Sequence, residues 1–240
     1  MFHRRNYLGS IAMTHDAVAK NPCRVHFFMR LPQRGRVKTR LAATVGHDLA
    51  LHAYEAFVLD MLDMLERLGS GVTTTIHADD RPLRVEEWLH LHGKTRCKTI
   101  SQVGNDLGER MYKAFEWGFA QGDQRAVLIG SDIPQLQTHD IQSALTCLEK
   151  APSVIGPALD GGYYLIGFQR HALLPEVFSN MTWGTGQVFE ETMKRFSRAG
   201  MSPVVMQTYQ DVDTWADLRA VDEELAPRSA AVVEQIHDSM

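Results

Sequence analysis

Cysteine is scarce in this 240-residue chain. Cys23, Cys97 and Cys147 are an odd number, far apart, with no Cys-x-x-Cys pair. That pattern argues for reduced thiols in a cytoplasmic protein and against a disulfide framework or a structural zinc site. Long apolar runs are missing too. Nothing approaches the roughly 18 residues that cross a bilayer, so no membrane span is expected. Residues 1–22 hold Arg and His without a continuous apolar stretch. They do not read as a signal peptide and are expected to form an extension, flexible in character, ahead of the folded part. Charge of one sign is also lacking. A net charge of −4 gives no reason to expect a nucleic-acid partner. Histidines such as His26, His47, His77, His139 and His171 lack metal-ligand spacing and read as core or surface residues. No Ser-His-Asp or Cys-His arrangement can be assembled.

What is present is a globular composition, 44% hydrophobic and 22% charged, with strands and helices in alternation. Cys23–Met29 is an apolar strand. Residues 30–41 follow as a basic loop in which five of twelve residues are cationic. Asp48 is the expected N-cap of a long amphipathic helix running to about Leu68. Val72–Ile76 is a β-branched strand, Pro82–His92 a weaker helix, and Cys97–Ile100 a short strand. Asp106 and Glu109 resemble a capping box at the head of a helix reaching Phe119. Ala126–Ile129 is a short, wholly apolar strand of the kind buried on both faces. Thr138 opens another helix. Ser153–Pro157 and Tyr163–Phe168 are strands joined by the turn Leu159-Asp160-Gly161-Gly162. Gly186–Ala199 is helical, and Pro203–Thr208 is strand-like. Thr214 and Asp217 form a cap pair for a further helix, and residues 230–236 close the chain as a helix. This order predicts an α/β fold: a three-layer, open, mostly parallel (mixed) sheet with helices on both faces. The expected domain runs over residues 23–226, with a C-terminal tail helix in 227–240.

In such sheets ligands bind beyond the carboxyl ends of the strands. Three polar groups fall there: the basic loop, Ser131-Asp132, and Asp211/Asp213. A glycine-containing basic loop after a strand suits phosphate, and a solvated surface loop is the alternative. Lys38, as an exposed loop lysine, is expected to bind phosphate without carrying packing. Taken alone, Asp132 and Asp213 each read as turn or cap residues. With a phosphate they supply the oxygen ligands that Mg²⁺ or Mn²⁺ takes. The stretch Gln102 to Arg110 is expected to line a pocket, with Gln102 and Gly104 on the nucleotide, while its Asp106 and Glu109 are accounted for as caps. Asp160-Gly161-Gly162 is either a hairpin turn or a bare backbone that a ligand can approach. Trp183-Gly184-Thr185 is either an aromatic platform for a ring or a lid on the core.

Six ordered motifs then match a known pattern. Phe28–Leu41 reads F-x-R-x-P-x-x-G-R-V-K-T-R-L. It is followed by Asp106-Leu107-Gly108-Glu109-Arg110-Met111, Gly130-Ser131-Asp132-Ile133-Pro134, Asp160-Gly161-Gly162-Tyr163-Tyr164, Trp183-Gly184-Thr185 and Asp211-Val212-Asp213-Thr214. Together they resemble the bacterial DUF2064 group, a glycosyltransferase-A-like branch of the nucleotide-diphospho-sugar transferase fold. The resemblance implies a phosphate-binding role for Arg30, Gly35, Lys38 and Arg40. It implies metal binding by Asp132 and Asp213, and an acceptor side bordered by Asp160, Gly161, Gly162, Trp183 and Thr185. The partners it implies are a nucleotide or nucleotide-sugar and a small-molecule acceptor. Two departures stand out. The Gly-rich loop of the sugar nucleotidylyltransferases is absent, and Gly130 replaces the first acid of an Asp-x-Asp. Glycosyl transfer from a nucleotide-diphospho-sugar is the first reading. Nucleotidyl transfer to a small phosphorylated acceptor is the alternative, since the basic loop suits a triphosphate. A non-catalytic nucleotide-binding protein is the reading of another class.

Overall fold

A computed structural model of the chain describes residues 22–239. The expected N-terminal extension falls almost wholly outside the described residues. Strand β1 (Cys23–Met29) is buried along its whole length. Helices α1 (Thr39–Val45) and α2 (His47–Glu66) follow it, then β2 (Val72–Ala78), α3 (Pro82–Leu91), β3 (Lys98–Ser101), α4 (Leu107–Ala120) and β4 (Arg125–Ile129). The second half holds α5 (Thr138–Cys147), β5 (Ser153–Pro157), β6 (Tyr163–Gln169), α6 (Val188–Arg198), β7 (Val204–Val205), α7 (Trp215–Arg219) and α8 (Pro227–Ser239).

The seven strands form one sheet in the order β3-β2-β1-β4-β6-β5-β7. Neighbours are parallel except along β6, which runs antiparallel to β4 and to β5. The period of two in a strand divides the side chains between two cores. Val25, Phe27 and Met29 of β1, with Val127 and Ile129 of β4, face the layer of α2, α5 and α8. Phe28 of β1, with Ala126 and Leu128 of β4, faces the layer of α4 and α6, where Phe115, Phe168, Phe178 and Phe196 are packed. Three layers and a mixed sheet agree with the expectation. The order turns back between β1 and β4: the chain goes outward from β1 to β2 and β3, then returns to place β4 on the other side. A crevice opens at the carboxyl ends of two strands that part in this way.

Several boundaries differ from the expected ones. Thr39–Leu41 belong to α1, not to a loop. Gly46 caps α2 in place of Asp48, which lies in the first turn and pairs with Arg34. Asp106 Oδ1 accepts from Glu109 N (2.9 Å), but Glu109 returns its bond to Asn105 N, one residue before the expected partner. Strand β7 is two residues long, Val204–Val205, at the edge of the sheet. Helix α6 starts at Val188, since Gly186 is held against Gly161. Helix α8 begins at Pro227 and is built into the core: Val232 and Ile236 are buried, and Asp60 of α2 accepts from Arg228 N, Ser229 N and Ser229 Oγ. No disulfide joins Cys23, Cys97 and Cys147. Among the described residues no helix is long and apolar enough to cross a membrane.

Candidate active site

The loops after β1, β4 and β7 converge at the switch between β1 and β4. Main-chain and side-chain bonds knit them. Val212 N donates to Asp132 O (2.9 Å), which brings the Asp211–Thr214 segment beside the end of β4. The hydroxyl of Tyr54, buried in α2, accepts from Arg30 N (2.9 Å) and shares a hydrogen bond with Ser131 Oγ (2.9 Å). Burial pushes the Tyr54 phenol up to about 12, so it stays a neutral clamp between the first and second loops. Asp213 is oriented by the capping box of α7, where Asp217 Oδ2 accepts from Asp213 N (3.2 Å) and Thr214 N (2.8 Å).

Lys38 stands at the centre. Its Nζ donates to Asp132 Oδ1 at 2.5 Å and to Asp213 Oδ1 at 3.1 Å, and Arg40 Nη1 reaches Asp213 Oδ2 at 3.3 Å. The Lys38 side chain is only 4% exposed and lies over the ring of Phe57 at 5.4 Å. This corrects the expectation of an exposed lysine free of packing. Lys38 also adopts φ 45°, ψ 48°, in the left-handed region that non-glycine residues seldom occupy. Burial pulls the ammonium pKa down, but Asp132 and Asp213 outweigh it and hold it above its ordinary value. The carboxylates are more open: Asp132 is 54% exposed and Asp213 34%.

Three cavities meet at Asp132. One of about 220 Å³ is lined by Arg30, Lys38, Thr39, Arg40, Tyr54, Ser131 and Asp213. A larger one of about 400 Å³ is walled by Phe28, Met29, Asp79, Gln102, Arg110, Met111, Asp160, Gly162, Tyr163, Trp183 and Thr185, among others. A third, of about 130 Å³, includes Asp160 and Asp211. Asp211 carries a buried Oδ1 without a partner. Burial, then the charge of Asp160, with smaller contributions from Asp213 and Asp132, raises the Asp211 pKa to about 6. Among the described residues no group of three or more His, Cys, Asp and Glu side chains is placed to hold a metal. The pair Asp132 and Asp213 offers oxygen donors only, which fits an ion that takes its remaining ligands from phosphate and water.

This geometry can be set beside known proteins. A family model described as an uncharacterized protein conserved in bacteria (DUF2064) matches residues 61–185. The chain belongs to the DUF2064 family. A solved structure from Desulfovibrio desulfuricans G20, provisionally named a nucleotide-diphospho-sugar transferase, is 35% identical to this DUF2064 protein. It covers 90% of this chain and 98% of its own, with a TM-score of 0.81. A curated relative from Phenylobacterium zucineum (strain HLK1), a 3-phospho-D-glycerate guanylyltransferase, is 29% identical over 135 residues, which is 54% of this chain. The match spans 59% of that relative's length. A CMP:2-keto-3-deoxy-manno-octonic acid synthetase complexed with CTP has a TM-score of 0.51 at 14% identity, covering 89% of this chain and all of its own, and shares the fold alone.

In this DUF2064 protein the site residues expected from sequence divide into two sets. Arg30, Lys38, Arg40, Asp132 and Asp213 meet, although Lys38 and Asp213 are 175 residues apart. Gln102, Asp160, Gly162, Trp183 and Thr185 line the large cavity. Gly35, Gly104 and Gly161 do not line either of these two cavities. Gly35 sits in an exposed turn at φ 76°. Gly104 serves Arg110: a Cβ there would come within 2.8 Å of Arg110 N, and its carbonyl accepts from Arg110 Nε (3.1 Å). Gly161 is bare for a structural reason, since at φ 88° a Cβ would lie 2.1 Å from Gly186 O. Sequence reasoning missed Tyr54 and Asp79, whereas Arg110 falls in the stretch Gln102–Arg110 expected to line a pocket and lines the large cavity. Tyr54 sits at core spacing in α2 and reads as one more buried aromatic. Asp79 lies just past the end of a strand that was expected to stop at Ile76.

Proposed function

We propose that this protein transfers a nucleotidyl group from a nucleoside triphosphate to a small phosphorylated acceptor and releases pyrophosphate. The observation that carries the reading is the buried ammonium of Lys38 held between Asp132 and Asp213 beside the smaller cavity, with Asp132 shared with the larger one. Phosphates fit the smaller, basic cavity beside Lys38, Arg40 and Arg30. The nucleoside and acceptor fit the larger one, the nucleoside toward Gln102 and the acceptor toward Asp160, Gly162, Trp183 and Thr185. An acceptor phosphate oxygen attacks the α-phosphorus as the bond from that phosphorus to the bridging oxygen breaks, and the electron pair leaves on pyrophosphate. Lys38 and Arg40 supply fixed positive charge where that negative charge grows. A divalent ion, Mg²⁺ or Mn²⁺, would be held by Asp132 and Asp213 and would neutralise phosphate charge when bound. The buried Oδ1 of Asp211, without a partner in the cavity it shares with Asp132, supports such an ion. The guanylyltransferase relative supports the reaction class, and use of nucleoside triphosphates supports a cytoplasmic site of action.

Glycosyl transfer is the second reading, favoured by the name of the Desulfovibrio relative, which spans nearly the whole chain. One assay separates the two. The purified protein is incubated with Mg²⁺, each nucleoside triphosphate and 3-phospho-D-glycerate, and in parallel with nucleotide-diphospho-sugars. Pyrophosphate release supports nucleotidyl transfer. Nucleoside diphosphate release from a nucleotide-sugar replaces it with glycosyl transfer. Binding with neither product leaves a non-catalytic nucleotide-binding protein. Lys38→Ala should lower the rate by roughly 10²–10³-fold, the scale of losing one charge stabiliser of the transition state. It should cost only about 1–2 kcal/mol of stability, because the exposed carboxylates it leaves can rehydrate. Retained activity in Lys38→Ala removes the central residue of the mechanism.

A further inference from the structure

The two carboxylates that would hold a divalent ion are already engaged. Lys38 Nζ lies 2.5 Å from Asp132 Oδ1 and 3.1 Å from Asp213 Oδ1, and Arg40 Nη1 takes the other oxygen of Asp213 at 3.3 Å. Two cations thus face two carboxylates. An Mg²⁺ ion bridging Asp132 and Asp213 needs their oxygens at about 2.0–2.1 Å. That is closer than the ammonium comes to either, so ion and ammonium cannot share the gap. Behind the ammonium stands the ring of Phe57, which is fully buried. In front lies the 220 Å³ cavity, which Lys38 lines together with Arg30 and Arg40. The backbone at Lys38 is left-handed, at φ 45°; among the described residues only Asn180 is another non-glycine residue with positive φ. A lysine gains nothing locally from that conformation, so the contacts of its side chain hold it there.

We propose that Lys38 is an internal stand-in for the divalent ion: it fills the gap between Asp132 and Asp213 in the unliganded protein and is displaced onto the triphosphate when the ion enters. This deepens the nucleotidyl-transfer reading and rests on it, and it couples the entry of the two ligands. The ion alone must expel a buried ammonium from its counter-charges, which is costly. The triphosphate alone finds Lys38 already paired. Together each removes the obstacle to the other: phosphate oxygens receive the ammonium, and the freed carboxylates receive the ion. Such coupling is reciprocal, so the factor by which triphosphate tightens the ion equals the factor by which the ion tightens triphosphate. The rival arrangement is an ion held on the open side of Asp132 alone, which would leave Lys38 where it is.

The test is Mn²⁺ binding to the full chain, read from the electron spin resonance of free Mn²⁺, with and without non-hydrolysable nucleoside triphosphate analogues. The wild-type protein should bind Mn²⁺ at least roughly tenfold more tightly with an analogue than without. Lys38→Met empties the gap. It should bind Mn²⁺ alone roughly tenfold or more tightly than the wild type, and its coupling to the analogue should be correspondingly smaller. Arg40→Met takes a positive charge from the same carboxylate, but from a side chain 72% exposed and outside the gap. It should gain only a few-fold. Equal gains in the two variants, or none in Lys38→Met, overturn the displacement and leave nucleotidyl transfer standing. Thermal melting establishes that Lys38→Met is folded. If it is not, the Lys38 ammonium signal of the wild type in proton–nitrogen NMR decides. That signal should move when Mg²⁺ and a bound analogue are present together, and a fixed signal overturns the displacement. Failure of Mn²⁺ and of every analogue to bind, alone or together, overturns both readings.

Discussion

Arg24 and Lys38 are cations whose side chains are 9% and 4% exposed, and each meets a carboxylate at 2.5 Å. Their surroundings differ. Arg24, in the middle of the sheet under α4, is matched by Asp123, itself 4% exposed, by Thr75 Oγ1 and by the ring of Trp117 at 5.0 Å. Beside it His26 Nδ1 and His77 Nε2 share a hydrogen bond of 2.8 Å. Lys38, at the strand ends, meets two carboxylates that are one third and one half open, beside cavities large enough for substrate. The first arrangement is closed in charge and in space, and so belongs to the fold. The second has carboxylate oxygens open to solvent, and so has capacity left for a ligand.

The largest expected effect would break the closed cluster. Asp123→Ala leaves Arg24 buried without its counter-charge and should destabilise by about 3–5 kcal/mol. Urea unfolding should show a lower midpoint at unchanged slope. Triphosphate binding by the folded fraction should be unaltered. A loss below about 1 kcal/mol would show that Arg24 reaches water and that the contrast with Lys38 is false.

Acid acts on the same cluster next. Burial first, then the charge of Arg24, lowers His77 to about 3, and burial with His77 and Arg24 holds His26 well below its ordinary value of 6.5. The unfolded chain takes up protons below 6.5 that the folded chain refuses. The stability present above pH 6.5 is therefore lost as pH falls from there toward 3. The slope is up to about 1.4 kcal/mol per pH unit for each ring. Urea unfolding across this range should show the decline, and His77→Gln should flatten it. An equal slope in the variant would assign acid sensitivity to carboxylates instead.

The smallest effect sharpens the open site. Tyr54→Phe removes the hydroxyl that joins Arg30 to Ser131 and should cost about 1 kcal/mol in stability. Triphosphate affinity should fall a few-fold by calorimetry, as the first loop loses its tie to the second. Unchanged affinity would mean that Lys38 alone holds the two loops in register.

Much of this was legible in the residue order. The all-apolar run Ala126–Ile129, the caps at Asp106 and Thr214, and the Asp160–Gly162 turn each depend on neighbours a few residues away, and each lies near its expected place. Local signals failed where a distant partner decides. Thr39–Leu41 has no apolar period, yet it forms α1, whose Leu41 is buried in the core. Gly161 reads as an opening for a ligand, yet its bare Cα is filled by Gly186. Tyr54 looks like packing until Arg30 and Ser131 are seen on its hydroxyl.

By itself the sequence determined the alternation of strands and helices, the burial of β1 and β4, and the identity of the charged residues at strand ends. Periodicity and capping act over one or two turns of chain, so they can be read without a fold. Only the tertiary structure decided that Lys38 is buried between Asp132 and Asp213, and that Asp79 and Gln102 line one cavity. Those relations join segments up to 175 residues apart, and the return of the chain across the sheet at β4 brings them together.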